Sequence, residues 1–499
     1  MKLKAIFTAV LLGAAPAMAQ DAPPLPAGLS SESAQESSTK KEPSPEAPAL
    51  PAGLGDDTAP ALPSGLGEQT GPALPPGLSG DEATSASRAP ADTEEEPFVV
   101  PFGLTGFVEA RLGARIVEDP TQKTLSIGEV RAQLGRDIET RHATFRIVGD
   151  LFYDQVEDVS DVNLETGRGF FDLREANVLV RPLDFLDIKA GRQILTWGVG
   201  DLVFINDLFP KDFRSFFIGR DDEYLKAPSD AIRISAFNNI ANVEFVYTPR
   251  FDADRFITGD RISYYNPALG RIAGRDAIVM PQARDDWFSE DEFAARAYRN
   301  IAGFEAALYG YAGYWKTPEG QTLSGQPFHP RLAVIGGSLR GPVRGGILTA
   351  EAGHYFSRDD LSGDDPFIRN SETRFLVGYE REIASELTAS VQYVGEVLSD
   401  YAALANSLPP GAPSPDRMRH VVTLRLTKLM LNQNLTLSGF NFWSPNEKDG
   451  YFRFRASYKL NDSWLTEAGG NIFYGADENT FFGQLENNSN LFVGVRRNF

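Results

Sequence analysis

The feature that most constrains the fold is an alternation of apolar and polar residues, which recurs in short segments over residues 97–499. Successive side chains of a β-strand point to opposite faces, so each segment predicts a strand with one apolar face. In the first segment, 104–116, Val108 falls on the apolar face while Glu109 and Arg111 fall on the other. The pattern therefore predicts an all-β fold over this part of the chain.

The breaks between these segments are alternately short and long. Eight short breaks lie at 139–142, 181–185, 238–241, 298–302, 340–345, 383–386, 431–434 and 460–463. Nine longer breaks lie near 118–124, 155–168, 196–228, 249–290, 316–329, 357–370, 397–416, 444–450 and 475–488. Together they predict a transmembrane antiparallel β-barrel of about 18 strands, with 16 as the alternative if two hairpins merge into loops. A soluble β-sandwich would need neither this many strands nor longer loops on one side.

Both ends of the chain agree with the outer membrane of a Gram-negative bacterium. A basic start, the apolar run 5–15 and the sequence Ala17-Met18-Ala19 predict a signal peptide that is cleaved after Ala19. The last strand, 490–499, ends on Phe499 and resembles the signal that is read by the barrel-assembly machinery. That machinery and the outer-membrane lipid bilayer are therefore expected partners. Cysteine is absent, so the chain can form neither a disulfide bond nor a lipid attachment through cysteine.

Residues 20–96 form an acidic arm rich in Pro, Ala, Gly, Ser and Glu, which predicts disorder. Residues 21–96 hold 14 Asp and Glu against three basic residues, a charge of −11 that argues against nucleic acid as a partner. A Leu-Pro-x-Gly-Leu phrase occurs four times. It is either a spacer or a multivalent docking motif for a periplasmic transport protein. Its anchors would be Leu25, Leu29, Leu50, Leu54, Leu62, Leu66, Leu74 and Leu78.

The second face of the predicted strands carries charges of both signs, which a barrel directs towards its lumen because the lipid face excludes them. These charges are either a solvated interior or a field that sorts solutes. The inward set comprises Glu109, Arg111, Glu129, Arg131, Arg146, Asp150, Glu175, Lys189, Arg296, Arg374, Glu380, Arg425, Arg453 and Arg455. Within it, Arg374, Arg453 and Arg455 are assigned to the pore.

The long break 196–228 is unusually apolar for an exposed loop, since it contains Trp197, Phe204, Phe209, Phe213, Phe216 and Phe217. A loop of this composition either folds inward or meets a ligand. We predict that it packs inside the lumen and acts as a gate. The predicted gate residues are Arg192, Gln193, Trp197, Asp201, Asn206, Asp207 and Phe209.

The residues Gly191, Arg192, Gln193, Trp197, Gly198, Ile205 and Asn206 resemble the Gly-Arg-Gln, Trp-Gly and Ile-Asn signature of a proteobacterial outer-membrane barrel family of unknown function. Members of that family are often associated with RND-type exporters of lipids or other hydrophobic compounds. The resemblance therefore implies a hydrophobic or amphipathic substrate. The repeats of the arm depart from the family pattern.

The sequence predicts no catalytic residue, metal or cofactor. It has four histidines, no Gly-x-Ser-x-Gly motif and no phosphate-binding loop. Three acidic doublets, at 221–222, 359–360 and 364–365, are either solvated or bind divalent cations. The expected function is passage of a hydrophobic or amphipathic solute through a gated channel. The alternatives are a general diffusion porin for small hydrophilic solutes and an anchor or scaffold that presents the arm.

Overall fold

The computed structural model describes residues 103–157, 161–408 and 414–499. The predicted signal peptide and acidic arm, with the eight anchor leucines, lie outside the described residues and remain predictions.

In the described part of the chain, eighteen antiparallel strands form one closed sheet. The ladder closes between the first and last strands, from the Phe107–Asn498 pair to the Arg115–Asn490 pair. The prediction of an 18-stranded barrel is confirmed, and the alternative of 16 strands is wrong. The strands are β1 (Thr105–Arg115), β2 (Leu125–Glu139), β3 (Ala143–Asp154), β4 (Phe171–Leu183), β5 (Leu186–Ile194), β6 (Pro228–Ala236), β7 (Asn242–Thr248), β10 (Glu292–Ile301), β11 (Phe304–Tyr314), β14 (Arg331–Val343), β15 (Gly346–Ser357), β16 (Glu372–Ala384), β17 (Leu387–Leu398), β18 (Met418–Met430), β19 (Leu435–Ser444), β20 (Asp449–Lys459), β21 (Trp464–Gly475) and β22 (Asn490–Asn498).

The loops contain short elements that period-two patterning did not reveal. Two small hairpins, β8 (Tyr264–Asn266) with β9 (Arg271–Ala273) and β12 (Gly320–Gln321) with β13 (Pro327–Phe328), lie in the second and third long loops after β5. The helices are α1 (Phe213–Phe217) and α2 (Tyr401–Ser407), with 3-10 turns at Asp222–Leu225 and Gly483–Asn488. Among the residues described, no helix is both long enough and apolar enough to cross a membrane.

The two faces of the strands have the exposures that the alternation predicts. On β1, Val108 and Leu112 are 46% and 55% exposed, whereas Glu109 and Arg111 are 3% exposed. An arginine on the lipid face at the bilayer midplane would cost about 2–4 kcal/mol. This penalty keeps the charged face inside, and it fixes the register because a slip of one residue would exchange the two faces.

The C-terminal residue continues the ladder that closes the barrel. Phe499 N donates to Gly106 O, and Gly106 N donates to Phe499 O, both at 3.0 Å. Beside it, the Arg497 guanidinium lies 5.5 Å from the centre of the Trp464 ring. The role of Phe499 as an assembly signal remains a prediction.

Candidate functional site

The segment between β5 and β6, residues 195–227, is called the lumen loop. Its apolar side chains are buried together with inward-facing side chains of the wall, so that an extended apolar cluster lies inside the barrel. The loop adopts this position because its aromatic residues would otherwise be exposed to water. Burial of one such side chain contributes roughly 1.5–3 kcal/mol.

Asn206 attaches the first half of the lumen loop to the wall. Glu351, on β15, accepts hydrogen bonds from Asn206 N at 2.8 Å, from Asn206 Nδ2 at 3.0 Å and from Val199 N at 3.3 Å. Asn206 Nδ2 also lies 3.1 Å from the carbonyl oxygen of Ala352. Asn206 and Glu351 are each 3% exposed, so the carboxylate has exchanged its hydration for these donors.

Two glycines make room for Asn206 in the wall. Gly336 and Gly353 face each other across β14 and β15. A Cβ on Gly336 would lie 1.8 Å from Asn206 Oδ1, and a Cβ on Gly353 would lie 3.1 Å from the same atom. We call this pair the glycine notch. Its shape shows that the wall and the lumen loop are complementary at this point.

Trp197 and Ile205 add further attachments near the notch. Trp197 Nε1 donates to Glu244 on β7 at 2.8 Å, and the Trp197 ring meets Phe209 edge-on at 4.9 Å. The hydroxyl of Tyr355 donates to the carbonyl oxygen of Ile205. Polar anchors and aromatic packing therefore hold the same short stretch of the loop.

The turn of the lumen loop is braced from within by Lys211. Its ammonium group donates to Asp207 Oδ1 at 3.0 Å, and Asp207 Oδ2 accepts from the Thr196 hydroxyl at 2.6 Å. Lys211 N donates to Asp254, in the loop after β7, at 2.7 Å. The buried ammonium group of Lys211 is thus paired with the Asp207 carboxylate, which avoids the free-energy cost of an unpaired buried charge.

Helix α1 fixes the second half of the lumen loop against the last strands. Asp212 caps the helix by accepting from Ser215 N at 2.8 Å. The Phe217 ring lies 5.6 Å from Tyr451 and 5.2 Å from Phe473. The Phe217 carbonyl accepts from Asn471 Nδ2 at 3.1 Å and from Asn490 Nδ2 at 2.9 Å.

The acidic doublet at 221–222 pairs with arginines of the lumen. Asp222 forms ion pairs with Arg453 and, at 3.1 Å, with Arg455, while Asp221 lies 3.3 Å from Arg496. Here the hypothesis of a cation site in an outer loop is wrong, because both carboxylates lie inside the barrel against basic groups.

Asp201 of the predicted gate and Arg374 of the predicted pore pair with charged residues of the wall. Asp201 pairs with Arg425 on β18. Arg374 donates to Glu372 at 2.6 Å and lies 4.4 Å from the centre of the Tyr355 ring. The structure therefore attaches Asp201 of the lumen loop to β18 and places Arg374 beside Tyr355, which anchors the loop.

Arg192 and Gln193 lie on β5 and support neighbouring elements. Arg192 donates to the carbonyls of Leu164 at 2.6 Å and Leu173 at 2.7 Å, and it pairs with Asp230 at 2.9 Å. Gln193 Nε2 donates to the carbonyl of Ala231 at 2.8 Å. Both residues thus position the start of the lumen loop and the preceding loop.

Three carboxylates outside the lumen come close enough to suggest a metal site. Oxygens of Glu165, Asp230 and Asp252 lie within 4.8 Å of one another. However, Glu165 and Asp230 are paired with Arg250 and Arg192, which supply the positive charge that a cation would bring. We therefore assign no metal to this cluster.

Sequence reasoning missed the wall residues that receive the lumen loop. Glu351, Gly336, Gly353, Asn471 and Asn490 are separated from their partners by more than a hundred residues. One signal was available, since glycines opposed across two strands at lumen positions leave space that something else must fill.

No family model matches the chain, and neither does any curated protein. Among solved structures, it is similar to OccD3 (OpdP) of Pseudomonas aeruginosa, with 10% identity over 80% of this chain and 91% of that one and a TM-score of 0.47. A BenF-like porin from Pseudomonas fluorescens Pf-5 shows 10% identity over 79% and 98%, with a TM-score of 0.48. A porin triple mutant of Rhodopseudomonas blastica shows 11% identity over 79% and 99%, with a TM-score of 0.35. The assignment as a barrel rests on the closed ladder of strands and not on these likenesses.

Proposed function

We propose that the protein is a gated outer-membrane channel for a hydrophobic or amphipathic solute, and that the lumen loop is its gate. The observation that carries the proposal is the path of the loop across the lumen. Within the described residues, its side chains or backbone are bonded to ten wall strands, namely β1, β2, β4, β7, β15, β17, β18, β20, β21 and β22. Since β7 and β15 lie across the barrel from the β1–β22 seam, the loop bridges opposite sides of the lumen.

The substrate class is supported by the side chains that the loop brings into the lumen. Its aromatic residues pack against Tyr451 and Phe473 of the wall, so the obstructed section of the barrel is lined by rings as well as by charges. A hydrophilic solute would gain little from such surfaces, whereas an amphipathic one would exchange water for them.

The interleaved charges of the wall favour a second candidate, a general diffusion porin for small hydrophilic solutes. Most of these charges are committed to ion pairs, as in the Arg131–Glu129 pair at 2.8 Å and the Arg131–Asp150 pair at 2.5 Å. If the lumen loop moves out of the lumen, these paired charges still line a hydrated path for small hydrophilic solutes.

Single-channel recording in a planar bilayer distinguishes these functions. The full chain is compared with a variant in which residues 196–226 are replaced by a short Gly/Ser linker. For a gated channel, we expect a nearly silent full chain and long openings in the variant. Steady conductance of the full chain to small ions would contradict the gate and favour the diffusion porin.

The arm supplies a further part of the proposal. Four copies of a Leu-Pro-x-Gly-Leu phrase on one chain would hold a periplasmic transport partner near the barrel by multivalent binding. Deletion of residues 20–96 that leaves channel currents intact but abolishes function in cells would favour the alternative, an anchor that presents the arm.

A further inference from the structure

An apolar cavity of about 520 Å³ lies among the loops on the side of the barrel opposite the short turns. We call it the outer vestibule. It is enclosed by the loop 249–291, the loop 315–330, the 3-10 turn of the loop 476–489 and helix α1 of the lumen loop. Its apolar wall includes Phe213, Phe217, Phe256, Ile257, Phe481 and Leu485. Of the residues described around it, none carries a formal charge.

The wall of the outer vestibule is held in place by its own hydrogen bonds. The Tyr264 hydroxyl donates to Ala277 O at 2.6 Å, and Asn266 Nδ2 donates to the Tyr264 oxygen at 2.9 Å. Across the cavity, Gln484 Nε2 donates to Phe481 O at 3.1 Å. Because the cavity is already formed, a ligand can bind there without the entropy cost of ordering the surrounding loops.

Among the described residues that line the vestibule, Gln321 has a side-chain oxygen without a hydrogen-bond partner. Gln321 lines the cavity, and its amide nitrogen donates to Gly325 O at 3.0 Å. Its Oε1 atom is buried without a hydrogen bond in the described structure. A buried acceptor without a partner is unfavourable, so a ligand that reached this oxygen and donated a hydrogen bond to it would be favoured.

We propose that the outer vestibule binds an uncharged amphipathic molecule that carries an apolar body and a hydroxyl or N–H donor. Since none of the described lining residues is charged, the desolvation of a bound ion would not be compensated, and an uncharged ligand is favoured. The volume falls in the range of pockets that enclose one drug-sized ligand. The proposal rests on the proposed function and names its substrate class.

The position of α1 links the vestibule to the gate. Phe213 and Phe217 line the vestibule, and Phe217 also contacts Tyr451 and Phe473 of the wall. A ligand in the vestibule therefore contacts the gate directly, at the place where the lumen loop is attached to the last strands.

The test is calorimetric titration of the full chain in lipid nanodiscs, with the heat from empty nanodiscs subtracted. Three probes share one ring system: 2-naphthol, which is neutral at pH 7 and has a donor; 2-methoxynaphthalene, which has none; and the anion 2-naphthoate. We expect 2-naphthol to bind most tightly and 2-naphthoate to bind at least about ten-fold more weakly. Equal affinities for 2-naphthol and 2-naphthoate would overturn the proposal.

A charged substitution in the vestibule provides the matched variant. Ile278 lines the cavity and is 46% exposed, so Ile278→Glu introduces a carboxylate without disturbing the core of the barrel. Leu361, which is 61% exposed in the loop 358–371, provides the control Leu361→Glu. We expect the first variant to bind 2-naphthol about ten-fold more weakly and the control to bind it unchanged. Unchanged binding by Ile278→Glu would overturn the proposal.

The outcomes separate this proposal from the gated channel. If removal of the lumen loop opens the channel but the probes bind without selectivity, the channel stands and the vestibule proposal is wrong. If 2-naphthol binds selectively and removal of the loop leaves the protein silent, the vestibule is a binding site and the gate is refuted.

Discussion

Replacement of Glu351 by alanine is expected to release the first half of the lumen loop. The change removes the acceptor of three hydrogen bonds, from Asn206 N, Asn206 Nδ2 and Val199 N, at 2.8, 3.0 and 3.3 Å. Hydrogen bonds to a charged group contribute roughly 1.5–3 kcal/mol each. Because these three share one carboxylate and the third is long, we expect a loss of about 3–4 kcal/mol in the free energy that holds the loop. That loss corresponds to a shift of about 100- to 1,000-fold in the closed-to-open ratio.

The assay is the open probability of single channels formed by wild type, Glu351→Ala and two companions. Glu351→Gln keeps a neutral oxygen acceptor and is expected to have an intermediate open probability. Glu305→Ala removes a lumen carboxylate that pairs with Arg296 at 2.7 Å on the wall itself, and it is expected to behave as wild type. An open probability of Glu351→Ala equal to that of Glu305→Ala would refute the reasoning. Heat-dependent gel mobility confirms that each variant has formed its barrel.

Three further predictions follow from the structure. Gly353→Ala places a Cβ 3.1 Å from Asn206 Oδ1 and should raise the open probability, whereas Gly310→Ala, whose Cβ meets nothing within 4 Å, should not. Burial lowers the pKa of His329 from 6.5 to about 4, so the folded loop holds the neutral ring. Stability from this group is therefore complete above pH 6.5 and declines towards pH 4, by up to roughly 3 kcal/mol, and loop proteolysis should increase on acidification more in wild type than in His329→Gln. Replacing the eight arm leucines by serine should abolish capture of a periplasmic partner and leave channel currents unchanged; retained capture would show that these leucines are not docking anchors.

Strand number and loop positions were predictable because each depends on a local pattern. On β1, a residue such as Leu112 faces lipid and Arg111 faces the lumen, and the same alternation recurs along the chain. Predicted strand ends differ from the observed ones by up to four residues, since β10 ends at Ile301 and β14 at Val343 although short breaks were predicted from residues 298 and 340. The short hairpins of the outer loops were missed because strands of two or three residues are too short to show a period.

The attachment of the lumen loop was predictable only in part. The clustering of Trp197, Phe209 and Phe216 indicated burial, because an exposed loop would not carry so many rings. The partner of Asn206 was not predictable, since Glu351 lies 145 residues away and its strand carries several other polar residues. Such pairings depend on the circumference of the closed barrel, which only the complete fold determines.

The lumen loop is hydrogen-bonded to both strands of the β1–β22 seam, and these bonds have a consequence for assembly. Arg111 on β1 donates to Gly219 O at 2.6 Å, and Asn490 on β22 donates to Phe217 O at 2.9 Å. The ladder that closes the barrel therefore joins two strands that are also bridged by the end of α1 and the residues just after it. Because the loop holds both strands, it stabilises the closed seam, and we expect that loosening it slows insertion into the membrane as well as opens the pore.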